Sequence, residues 1–144
     1  MIEQDTIKLL RECDAGIKMG SDSIDDVLKY VHSDSFKNHL TRCKDEHDTL
    51  RREVDGLLDE YGDDGKEPNA MAKGMSWLKT NVMLSYDNSD HMIADLVTDG
   101  CNMGVKSLNK YLNKYKAASE QSKDITKRLI TLEQKLTEDI KSFL

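Results

Sequence analysis

Apolar residues recur along this chain in steps of three and four. One seam runs from Ile7 through Leu10, Asp14, Ile17, Ser21, Ile24 and Leu28 to Val31. A second runs from Phe36 through Leu40, Cys43, His47, Leu50, Val54 and Leu57 to Tyr61. That period keeps one stripe of a helix facing inward, so both seams predict amphipathic helices. Ser33 or Asp34 is placed to cap the second, and the joint Val31-His32-Ser33-Asp34-Ser35 is short enough to make an antiparallel hairpin. A second pair follows. Asn88 or Ser89 can open a helix carrying Ile93, Val97, Cys101, Val105, Leu108, Leu112 and Tyr115. Beyond a polar joint near Ala118-Ser119-Glu120, the last helix carries Ile125, Leu129, Leu132, Leu136, Ile140 and Phe143. Hairpins are therefore predicted over about 3–61 and about 89–144. Helices of about 25 residues are about 37 Å long at 1.5 Å per residue and pack naturally as a four-helix bundle.

The stretch 62–88 breaks the pattern. Gly62-Asp63-Asp64-Gly65-Lys66-Glu67-Pro68 stops the second helix, since proline cannot continue one. Met71, Met75, Trp77, Leu78, Met83 and Leu84 then suggest a shorter amphipathic helix. Adjacent antiparallel helices need far fewer connecting residues than this. The segment is long enough to travel the length of the bundle and leave helices two and three parallel, the topology with one long crossover. A plain up-and-down bundle with the segment packed over one end is the alternative. In either case the expectation is one domain, 1–144.

The two hairpins resemble each other. Cys13-Asp14-Ala15-Gly16-Ile17-Lys18 matches Cys101-Asn102-Met103-Gly104-Val105-Lys106 at an offset of 88. His47 through Val54 matches Glu133 through Ile140, less closely, at an offset of 86. A degenerate hairpin repeat is one explanation, and chance likeness between heptad-patterned sequences is the other. The hairpins, the Gly/Pro-containing crossover and the paired Cys-Asx-x-Gly segments together resemble a bacterial ferritin-like family of uncharacterised domains. The resemblance covers essentially the whole chain. It implies an all-α, ferritin-like four-helix bundle and no established reaction.

A di-iron site in such a bundle takes a carboxylate from each of two helices and a Glu-x-x-His from each of the other two. The residues three before His32, His39, His47 and His91 are Lys29, Phe36, Lys44 and Asn88, so the sequence contains no Glu-x-x-His. Glu133 is followed three residues later by Leu136, and Asn102 stands where the first hairpin has Asp14. Di-iron chemistry is not expected, and neither is a cofactor. What remains is a set of polar residues on core positions: Asp14, Ser21, Cys43 and His47. Buried, these need partners. A hydrogen-bonded core histidine beside a buried thiol is the plainer expectation. A single metal ion held by Cys43, His47 and Glu133 is the alternative. Cys/His nucleophilic chemistry lacks an evident third group to orient the ring. Folding the first hairpin about residues 33–34 puts residue i opposite about 67 − i, which sets His47 against Gly20 and Ser21.

Gly16 and Gly20 lie four apart in helix one, and Gly100 and Gly104 repeat the spacing in helix three. Each is less favourable than alanine by about 1 kcal/mol in a helix interior. Close packing between helices is the expected use of the space, with a ligand or partner chain as the alternative. The run from Gly100 to Ser107 lacks the spacing and the preceding strand of a phosphate loop.

Composition narrows the partners. A third of the 144 residues are charged and only one is proline, which suits helices. The net charge of −6 argues against a dedicated nucleic-acid binder. It is uneven: residues 104–128 carry seven basic and two acidic side chains, with Lys106, Lys110 and Lys114 on one stripe. A solvated face is the plainer reading of that stripe, and an acidic partner the other. No apolar run is long enough to span a bilayer. The acidic start and three irregularly spaced cysteines place the chain in the cytoplasm as an expectation. Met71, Met75, Trp77 and Met83 are the candidate surface for a protein partner or a second copy, with cover for one face of the bundle as the plainer use. The expected role is a non-enzymatic structural or interaction module, the alternative a degenerate metal- or redox-linked protein.

Overall fold

The computed structural model describes residues 2–66 and 89–144. Four helices pack on one another: α1 (Ile2–Leu28), α2 (Asp34–Glu60), α3 (Asp90–Lys114) and α4 (Glu120–Ile140), the last followed by a 3-10 turn, Lys141–Phe143. There is no strand among the described residues. Met71, Met75, Trp77 and Met83, with the short helix expected around them, lie outside the described residues.

A serine starts each of the last three helices. Ser33, Ser89 and Ser119 are extended, and their hydroxyls accept from the backbone N–H of Phe36, Met92 and Ser122. Each satisfies an amide that the first helical turn leaves unpaired. α1 ends at Leu28, three residues short of the seam that predicted it, in a turn closed by Tyr30 N–H to Val27 O. Val31 still enters the core, because the turn is tight enough to keep its side chain on the buried side.

Hydrogen bonds at the two ends of the bundle fix helix directions. At one end the amides of His32 and Ser33, in the α1–α2 turn, donate to Asp90 Oδ1 and Oδ2 at 2.8 and 2.9 Å. The start of α3 therefore lies beside the start of α2. At the other end Ala117 N–H donates to Asp5 Oδ2 at 3.0 Å and Ser119 N–H to Thr6 Oγ1 at 2.8 Å. The α3–α4 joint therefore sits on the start of α1. Consequently α2 and α3 run parallel, and α2 ends at the opposite end of the bundle from where α3 begins. α1 packs chiefly on α2 and α3 on α4, while α2 and α4 also pack on each other.

The core follows the middle of each seam and departs from it at the ends. Leu58 rather than Leu57 is buried at the end of α2, Tyr61 is exposed, and Ile7, Val105, Leu112 and Tyr115 are only partly buried. Leu10, Ile17, Phe36, Leu40, Ile93 and Leu129 are among the side chains wholly or almost wholly removed from water. Phe36, at the start of α2, stacks on Phe143 with ring centres 4.8 Å apart, closing the bundle where α4 ends. Across α2 and α4, Arg128 makes a forked contact with Glu53, both N···O distances 2.9 Å. That pair is exposed and is worth under about 1 kcal/mol.

Candidate functional site

Half-way along the bundle two of the polar interruptions, Cys43 and His47 of the α2 seam, meet a carboxylate of α4. α2 supplies Cys43 and His47, one turn apart on its inner face; α4 supplies Glu133. His47 is 1% exposed. Its Nε2 lies 2.6 Å from Glu133 Oε1, and its Nδ1 lies 2.8 Å from the carbonyl oxygen of Cys43. A carbonyl oxygen only accepts, so Nδ1 carries a hydrogen. With a carboxylate on the other nitrogen, the arrangement is that of an imidazolium–carboxylate ion pair. Burial opposes the ring's charge most strongly, but the hydrogen bonds to Cys43 and Glu133 and the Glu133 charge outweigh it and hold the imidazole well above its usual range.

α1 contributes an absence of side chain. A Cβ at residue 20 would stand 2.7 Å from His47 Nε2, so the ring and Glu133 meet only because position 20 is glycine. Ser21, next along α1 and also buried, donates from Oγ to Asp48 Oδ1 at 3.0 Å. It belongs to the α1–α2 seam and does not touch the ion pair.

The three thiols are free and buried. Cys43 Sγ lies 3.5 Å from His47 Nδ1, but that nitrogen's hydrogen is directed at the Cys43 carbonyl. The ring is therefore not a base for the thiol, even though Glu133 stands where an orienting carboxylate would. Burial, more than any neighbour, raises the pKa of Cys43. Cys101 on α3 is raised by burial first and then by the charge and hydrogen bond of Glu133 beside it. Cys13 packs against Thr126, Sγ to Oγ1 3.2 Å, and burial lifts it to about 11. Thiols held protonated are poor nucleophiles and poor metal ligands.

Asp14 is brought into a different cluster. It is 1% exposed, and its Oδ2 accepts from Lys18 Nζ and from the backbone N–H of Lys66, both at 2.9 Å. Lys66 follows the turn that leaves α2, so this bond straps the turn to the middle of α1. Gly65, at φ +85°, lets the backbone pass so close that a Cβ there would collide with Asp14 Oδ2. The other oxygen, Oδ1, has no hydrogen-bond partner among the described residues. No pattern in the sequence pointed to Lys66 or Gly65 as partners of Asp14, because that approach depends on where the turn returns.

Above the ion pair, between α1 and α3, lies a cavity of about 460 Å³. Gly16 and Gly20 form its α1 wall with Met19, and Gly100 and Gly104 its α3 wall with Cys101. His47, Glu133, Leu129 and Leu136 form the floor. Glu12, Lys66 and Tyr111 also line it, and Lys66 Nζ is ion-paired to Glu12. All four glycines singled out by spacing thus line one space.

Cys43, His47 and Glu133 are contiguous, but Cys43 and Glu133 flank opposite edges of the imidazole. One ion cannot contact all three through that ring. Among the described residues no group of three His, Cys, Asp or Glu side chains is placed to hold a metal ion. The sequence has no Glu-x-x-His, and the described residues do not fit a dinuclear metal centre. No helix among the described residues is long and apolar enough to cross a membrane. Comparison with protein-family models, curated proteins and solved structures gives no match.

Proposed function

We propose that this chain is a ferritin-like helical bundle that works without catalysis, as a structural or protein-interaction module of the cytoplasm, with an ion pair between α2 and α4 in its interior and no di-iron centre. The parallel course of α2 and α3 supports the architecture, since one long crossover is its mark. The observation that carries the functional reading is that both ring nitrogens of His47 are engaged, one by the Cys43 carbonyl and one by Glu133. Such a ring has no lone pair to offer a metal and none to activate a nucleophile. The buried thiols around it are held protonated, which removes the other donors. Partners on this reading are proteins, a second copy of the chain first among them, and not nucleic acid or membrane.

Elemental analysis of protein purified without chelator, before and after incubation with Fe(II) or Zn(II), tests this. The expected content is far below about one ion per chain, the amount a working site retains. Near-stoichiometric metal that His47→Ala abolishes would overturn the reading in favour of a degenerate metal-linked protein. Light scattering reports on self-association in the same samples.

A further inference from the structure

We infer that the cavity between α1 and α3 is a binding site for a small, neutral, mainly apolar molecule. Its volume of about 460 Å³ is within the range of small-molecule sites. Packing among the described residues does not explain two of the glycines that make it, Gly16 and Gly104. Among the described residues a Cβ at residue 16 would meet only Leu129 Cδ2, at 3.9 Å, and one at residue 104 only Glu133 Oε2, at 3.9 Å. Both are ordinary contacts. Alanine would fit at either position and would favour the helix by about 1 kcal/mol. Gly20 is required by His47; among the described residues no neighbour within reach requires Gly16 or Gly104. What they preserve is the space itself.

The chemistry of the walls selects the occupant. Met19, Ile24, Val97, Leu108, Leu129 and Leu136 give apolar surface, with the methionine thioether able to adapt to shape. Among the described residues that line the cavity the charges are already matched: His47 with Glu133, and Lys66 with Glu12. A charged guest would leave water without a counter-ion, a heavy penalty in a space of this kind. A neutral guest meets no such penalty, and the carboxylate of Glu133, facing α3 at Gly104, can accept from one donor on it. This inference shares only the ion pair with the preceding reading.

The test compares two fluorescent probes of one shape. N-phenyl-1-naphthylamine is neutral, apolar and carries one N–H; 8-anilinonaphthalene-1-sulfonate adds a fixed negative charge. The neutral probe is expected to bind saturably at one site, and the sulfonate at least about tenfold more weakly. Gly16→Leu and Gly104→Leu, which fill the cavity, should each weaken the neutral probe by at least about tenfold while far-UV circular dichroism stays native. Absence of saturable binding, equal affinity for the sulfonate, or leucine variants that bind as well as the parent would overturn the proposal. Should a leucine variant lose its helical spectrum, the double variant Gly16→Ala/Gly104→Ala replaces it; unaltered probe affinity there overturns the proposal, and weakened affinity supports it. Metal content is read separately, so a metal-loaded protein that still takes the neutral probe sinks only the earlier reading.

Discussion

Gly20 on α1 and His47 on α2 share one space: the ring's Nε2 occupies ground that any side chain at position 20 would claim, 2.7 Å from an ideal Cβ. The ring cannot swing aside, because Cys43 O holds one edge and Glu133 the other. Gly20→Ala must therefore part the helices or break the ion pair. It is expected to destabilise the fold by about 1–3 kcal/mol despite alanine's better helix propensity. Gly56, exposed within α2 with nothing near its missing Cβ, supplies the contrast. Gly56→Ala should stabilise by about 0.5–1 kcal/mol. Urea unfolding of both variants decides it, and a stabilising Gly20→Ala would refute the close approach.

The ion pair is worth most as a pair. His47→Leu leaves the partly buried Glu133 opposite an alkyl chain, and Glu133→Leu leaves the fully buried imidazolium without its carboxylate. Each is expected to destabilise by about 3–5 kcal/mol. His47→Leu/Glu133→Leu removes both charges and should recover most of that loss, since an apolar pair of similar volume often matches a buried ion pair. A double variant whose loss equals the sum of the singles would show that the two side chains act independently.

Stability should also fall on the alkaline side. The folded ring keeps a proton to about 11, whereas the unfolded ring releases it near the ordinary 6.5. Between those values the native state binds more protons than the unfolded state, so stability decreases as pH rises, by up to about 1.4 kcal/mol per pH unit. The contribution is fully present below about 6.5 and is lost as pH climbs through about 11. Measured from pH 7 to 9, the slope should be distinctly shallower in His47→Leu. Parallel slopes would mean that the ring is neutral in the fold.

How much of this site could be seen in the sequence depends on how far apart its parts lie along the chain. Helical period and a short turn fix the register of α1 on α2, so the i to 67 − i pairing sets His47 over Gly20, where the structure has it. The approach of Glu133 is set by the packing of α2 on α4, across 86 residues, and no local rule supplies it. The weak repeat had aligned His47 with Glu133, and these two are the residues that meet. The four glycines were conspicuous by spacing, but spacing does not reveal whether the removed side chains let backbones touch or leave a void. That is decided by the distance between α1 and α3. Asp14 was evident as a polar residue on an apolar seam, while its strap to Lys66 arises from the return of the turn after α2.

The thiols offer a check on access. Cys13, Cys43 and Cys101 are each 4% exposed or less, and burial raises all three above the ordinary thiol range. Reaction with a disulfide reagent such as 5,5′-dithiobis(2-nitrobenzoate) at pH 8 should be negligible in the native protein. It should release three equivalents in denaturant. Rapid native labelling of Cys101, which lines the cavity, would show the space open to a bulky anion and would count against a neutral guest.

The strap between Asp14 and the turn after α2 rests on two separable effects at Gly65. Its φ of +85° disfavours any L side chain, by about 1 kcal/mol. The collision of a Cβ with Asp14 Oδ2 would in addition break the bond from Lys66 N–H to that oxygen, a bond to a charged acceptor worth about 1.5–3 kcal/mol. Gly65→Ala alone should therefore destabilise by more than about 2 kcal/mol. Asp14→Ala removes both the oxygen and the strap, so in that background Gly65→Ala should retain only the backbone share, about 1 kcal/mol. Thermal or urea unfolding of the four proteins in the cycle measures the difference. An additive cycle would place Gly65 and Asp14 out of contact, and with it would go the account of how the chain leaving α2 is tied to α1.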